Sequence, residues 1–145
     1  MIAVWYQWLL DIALDHLTFA RVGLIRAILS SPLPQPALDL PLVAFAVNGL
    51  RAAGAVEFLV RGLLTAALYH FVRGEHDLTR QHLAEAEQIA ERGPMPLFLA
   101  DVHLHRARMF RDQAKLAKAA KLIRDLGYGR RHGELEDAEE AAKAW

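Results

Sequence analysis

Apolar and polar residues along this chain do not sustain the one-for-one alternation of a half-buried strand. They recur at three- and four-residue steps, in runs long enough for helices. Ser30-Ser31-Pro32-Leu33-Pro34-Gln35-Pro36 is too proline-rich to be helical until Pro36 or Pro41 restarts a helix. The remaining breaks fall at Gly54, at Gly74, at Gly93-Pro94-Met95-Pro96 and around Gly127-Tyr128-Gly129, where the glycines suit left-handed helix C-caps. An all-α fold follows.

The runs repeat. Sliding the chain against itself by forty residues aligns Phe19 with Leu59 and Leu99, and Ala20 with Val60 and Ala100. Leu24, Leu64 and Leu104 match, as do Ala27, Ala67 and Ala107, while Arg21 and Arg61 give way to Asp101 in the third copy. Leu50, Ile89 and Ile123 each stand four residues before Gly54, Gly93 and Gly127. Small and large residues keep separate columns, as they do when alanine marks close helix approach. A two-helix unit of this length cannot bury its apolar face alone and must stack on its neighbours. The repeats span about 15–53, 55–92 and 95–126 of a single domain, 1–145, with a short capping helix at 133–144.

The unit from Val56 to Glu91 carries Leu63, Ala66, Ala67 and Phe71, then Gly74, Thr79, Leu83 and Ala86. In this pattern it resembles the tetratricopeptide repeat, although the family's tryptophan is missing and Glu91 occupies the place of its proline. Ile89 to Met95, Leu99 to Leu104 and Gly127 to Leu135 are similar to C-terminal repeats of large bacterial tetratricopeptide proteins. The likeness implies a right-handed α-α superhelix of about three helix pairs, a binding scaffold rather than an enzyme, and a chain that is the tail of a longer architecture. It also implies a concave groove lined by the first helix of each pair. On this chain those positions are Arg21, Leu24 and Ile28; Arg61, Leu64, Leu68 and Phe71; Asp101, Leu104 and Arg108. Arginines over an apolar floor suit an extended peptide with an acidic group.

The third repeat departs from the other two. No Gly, Pro, Asn or Ser occurs between Leu97 and Leu126, and Met109, Leu116, Ala120 and Ile123 hold one face across the place where a turn belongs. The pattern favours one helix of about thirty residues over a tight turn near Arg111-Asp112-Gln113. Such a helix could not fold back on its own first half and would reach a second copy of the chain. Self-association through Trp5, Trp8, Met109, Leu116 and Ile123, giving a swapped or interlocked homodimer, is therefore expected.

Composition strengthens that expectation. Apolar residues make up 54% of the chain and mean hydropathy is +0.13, rich for a soluble monomer. The apolar start, Met1 to Leu10, is followed by Asp11 and Asp15 and preceded by no Lys or Arg. It is short of a membrane span, which needs about 20 apolar residues, and lacks a signal peptide's basic start. Trp5, Trp8, Ile12 and Phe19 follow helical spacing instead and suggest a buried or partner-facing helix. No membrane association is expected, and cytoplasm is the default location.

Seventeen basic residues balance seventeen acidic ones, and there is no cysteine for a disulfide or thiolate site. Asp101 and His105 share one helical face, which makes half a metal site at best. Asp11 with Asp15 and Glu136 with Glu140 are spaced like acid–base pairs but belong to ordinary charged faces. Neither a cofactor nor an enzymatic role is expected. The alternative to protein binding is an anionic partner on the basic stretch 106–131, where Arg108, Arg111, Lys115 and Lys118 form a stripe. No aromatic residues interleave there for base stacking, so nucleic acid is disfavoured. The expected partners are another copy of the chain and an unidentified protein or peptide.

Overall fold

The computed structural model describes residues 2–30 and 40–145. Among these are seven α-helices and no strand: α1 (Ile2–Leu29), α2 (Leu40–Ala52), α3 (Val56–Val72), α4 (His76–Arg92), α5 (Pro96–Phe110), α6 (Gln113–Asp125) and α7 (His132–Ala142). The fold is all-α, with neighbouring helices packed on one another, α1 with α2, α2 with α3, α5 with α6 and α6 with α7. The proline cluster lies outside the described residues beyond Ser30, and α2 starts with Pro41 in its first turn, where a missing N–H costs nothing.

Two compact units, 1–82 and 83–145, each enclose a core. In the first, α1 packs against α2 and α3. Ala13, Leu17, Ala20, Leu24 and Ala27 of α1 are buried, as are Val43, Ala46, Val47 and Leu50 of α2 and Val60, Leu63, Leu64 and Ala67 of α3. The small residues set the spacing: a Cβ added at Gly49 would lie 2.8 Å from that of Ala13. α1 is one unbroken helix of 28 residues, so Trp5 and Trp8 ride on the same helix as Leu24. In the second unit Ala100, Leu104 and Ala107 of α5 meet Leu116, Ala119, Ala120 and Ile123 of α6. Leu135 and Ala138 of α7 close this core.

Gly54, Gly74 and Gly127 end their helices with φ between 62° and 77°. Around Gly74 its N–H donates to the Phe71 carbonyl at 2.9 Å, and the Glu75 N–H donates to the His70 carbonyl at 2.9 Å. These paired bonds satisfy carbonyls that the helix end leaves open. Gly93 is not left-handed as expected; its N–H keeps the helical bond to the Ile89 carbonyl at 3.0 Å, and the Met95 N–H donates to the Ala90 carbonyl at 2.8 Å.

The continuous helix expected over 97–126 is not formed. α5 stops at Arg111, whose φ of 53° and ψ of 40° put a non-glycine residue in the left-handed region, and its N–H donates to the Ala107 carbonyl. Asp112 then caps α6, its side chain accepting from the Lys115 N–H at 3.0 Å. The chain thus reverses with a left-handed arginine and a capping aspartate, and composition rules that look for glycine or proline pass over it. The basis for exchanging the end of a long helix disappears with it. Left-handed backbone costs a side-chain-bearing residue about 1 kcal/mol, so Arg111→Gly is expected to raise unfolding stability by up to about 1 kcal/mol. Urea denaturation followed by circular dichroism measures this, and a lowered midpoint would contradict it.

Candidate interaction surface

α1 is apolar on both sides. Opposite its buried row stand Trp5, Trp8, Ile12, Phe19, Val22 and Leu29, all exposed; Trp5 is 71%, Trp8 62% and Phe19 68% accessible. A helix that is apolar all round normally lies inside a larger core. With Asp15 and Arg26, which are also exposed, these side chains follow one another at alternating steps of three and four residues from Trp5 to Leu29. That is the spacing of a helix–helix seam. The Trp5 and Trp8 rings lie 6.4 Å apart. Beside the row, His16 stacks on Phe45 of α2 at 6.0 Å, and Phe45 is itself 66% exposed.

The residues singled out in the sequence divide sharply. Trp5 and Trp8 lie on this surface. Leu116 and Ile123 are packed into their own unit's core, and Met109 is half-buried, so the self-association surface expected on α5 and α6 is not presented. Of the groove positions, Leu24, Leu64, Asp101 and Leu104 are buried, Leu68 and Phe71 are half-buried, and Arg21, Ile28, Arg61 and Arg108 are exposed. The Leu24, Leu64 and Leu104 column is a packing column. Identity across repeats marked core, where shape constrains the residue most. Asp15 and Arg26 belong to no motif, and their place in the three-four row is legible from spacing alone.

The polar groups of the second unit hold the fold. The Asp101 carboxylate on α5 accepts from Arg131 Nε at 2.7 Å and from the Tyr128 hydroxyl at 3.4 Å. Arg131 Nη1 donates to Glu134 at 2.6 Å. Burial disfavours the charged guanidinium, but Asp101 and Glu134 more than offset this and raise its pKa. A second set gathers around Glu87, which pairs with Arg106 at 3.1 Å and with Lys115. Burial works against ionisation of Glu87, yet Lys115, His103 and Arg106 together hold its carboxyl below the usual range. His103 is buried, its Nδ1 stands 3.8 Å from Glu87 and makes no hydrogen bond. Burial first, then the nearby Lys115, push its pKa down to about 4.

In the first unit Glu75, at the α3–α4 turn, pairs with His70 Nδ1 at 2.5 Å and Arg73 Nε at 3.0 Å, and these bonds lower its pKa. The His70 ring stacks on His82 at 5.2 Å and meets the edge of Tyr69. His105 bonds the backbone carbonyl of Asp101 at 2.8 Å rather than joining its carboxylate. Among the described residues no group of three or more His, Asp or Glu is arranged to hold a metal ion.

The basic stripe also changes. The break at Arg111 puts Arg108 and Lys115 on different helices. Lys115 is bound to Glu87, Arg124 to Glu139 at 2.8 Å and Lys121 to Asp125, while Arg108 lies 4.0 Å from Glu134. Arg111 and Lys118 are exposed. Most of this charge is matched within the chain. No helix among the described residues is long and apolar enough to cross a membrane.

Compared with family models, with curated proteins and with solved structures, the chain finds no match.

Proposed function

We propose that this chain is a non-enzymatic helical scaffold for protein–protein contact, related in manner to tetratricopeptide repeats, and that its docking surface is the outer face of α1. The observation that carries the reading is the row from Trp5 to Leu29, uncovered and apolar except at Asp15 and Arg26. Its six apolar side chains, five of them exposed to half or more of their area, amount to on the order of 600 Å² or more. That is as large as the largest patch on a typical monomer and near what one side of a stable interface needs. The likeness of the α3–α4 and α5–α6 pairs to tetratricopeptide units supports a binding role.

The double variant Trp8→Glu/Phe19→Glu tests the reading. Both positions are exposed, so helicity and melting temperature should stay near the wild-type values. Association, read as weight-average mass by sedimentation at tens of micromolar, should fall to that of a single chain. A variant that assembles as the wild-type chain does would rule out α1 as the docking surface.

A further inference from the structure

The occupant of this surface is encoded in the row itself. We propose that the outer face of α1 binds α1 of a second copy, antiparallel, with Asp15 of each chain paired to Arg26 of the other. The inference rests on the docking role of α1 and adds the partner and the register. Two charges interrupt the apolar row, one acidic and one basic, and neither has an opposite charge three or four residues away on its own helix. Between Ile12 and Leu29 the row is symmetric about the midpoint between Phe19 and Val22, with a central step of three and then a four and a three on either side. A two-fold axis through that point lays Phe19 on Val22, Asp15 on Arg26 and Ile12 on Leu29, each contact occurring twice. From Ile12 to Leu29 every apolar residue of the row then faces an apolar residue and every charge its opposite, over about 27 Å of helix.

The competing arrangements lack this match. A parallel pair sets Asp15 on Asp15 and Arg26 on Arg26, a juxtaposition that selects against it. Moving the axis one step toward the N-terminus brings Trp5 onto Leu29 but separates the charges, setting Arg26 on Trp8 and Asp15 on Phe19, with two carboxylates against phenyl rings and no counter-charge. A lone polar pair in an apolar seam is how helices specify register and orientation. The flank is compatible as well. Gly23, where a Cβ would meet nothing within 4 Å, falls opposite His16 of the second copy, which brings its stacked Phe45 over the bare backbone. A mid-helix glycine with open space beside it has no packing reason within its own chain, and a close neighbour supplies one.

Charge reversal and cross-linking test the register. Asp15→Arg and Arg26→Asp should each weaken dimerisation tenfold or more by sedimentation equilibrium, while Asp15→Arg/Arg26→Asp together should restore it. Since the chain has no cysteine, mixing an Ile12→Cys chain with a Leu29→Cys chain should give the mixed disulfide under mild oxidation. Disulfides formed by either variant alone would signal a parallel pair and overturn the proposal, as would a dimer unaffected by both charge reversals. A dimer that breaks with Trp8→Glu/Phe19→Glu yet fails these tests keeps α1 as the surface and discards the register. A wild-type chain that stays monomeric at tens of micromolar, or that sediments with anionic vesicles instead, overturns the second copy as occupant.

Discussion

Arg131→Ala should destabilise the chain by about 3 kcal/mol, the cost of leaving a buried charge without its partner. The Asp101 side chain is 8% exposed and Arg131 is 21% exposed. Removing the guanidinium leaves that carboxylate with only the long contact from the Tyr128 hydroxyl. It also leaves Glu134, to which Arg131 donates at 2.6 Å, with only Arg108 at 4.0 Å. A urea titration followed by circular dichroism at neutral pH measures the loss. The control is Asp101→Ala/Arg131→Ala, which removes both charges and should recover a large part of the difference. A loss below about 1 kcal/mol would show that water reaches Asp101 and that the pair is an ordinary surface bridge.

The second large effect is a loss of stability in mild acid. The folded pKa of His103 lies near 4 against an ordinary value of 6.5, so between these values the unfolded chain binds a proton that the folded chain refuses. Stability therefore rises with pH across this window and falls on acidification. From about pH 7 to about pH 5 this one group removes about 2 kcal/mol. Burial lowers the pKa of His105 too, and it acts in the same sense. Glu87 has a lowered pKa as well, but its contribution is lost only as the pH falls below the ordinary carboxylate value. Unfolding curves at the two pH values should thus separate for the wild-type chain and lie closer together for His103→Leu. Leucine is similar in size and carries no nitrogen to leave unbonded. Equal pH dependence in the two proteins would show that His103 is not the responsive group.

The forty-residue register shows how much the sequence carried and where it misled. Leu24, Leu64 and Leu104 stand out because three copies agree, and they agree because each must fill the same space beside an alanine. The same agreement was assigned to a groove, and a groove position has no such constraint. Arg111 is the opposite case. Left-handed backbone is so much a glycine property that an arginine there carries no sequence signal, and only the cap at Asp112 hints at the break. The long helix does exist, but it is α1, where Gly23 sits in its interior without stopping it.

By itself the sequence determined the helical class, the ends marked by Gly54, Gly74 and Gly127 and the columns of small and large residues. It also marked the aromatic character of the N-terminal helix. All of these are local or periodic properties, set by backbone preference and by which face must leave water. Which apolar face stays uncovered was decided only by tertiary packing, because α1 carries two such faces and α2 and α3 occupy just one. Packing also decided that Asp101, Glu87 and His103 serve the interior, since their partners lie on other helices and no spacing along the chain announces them.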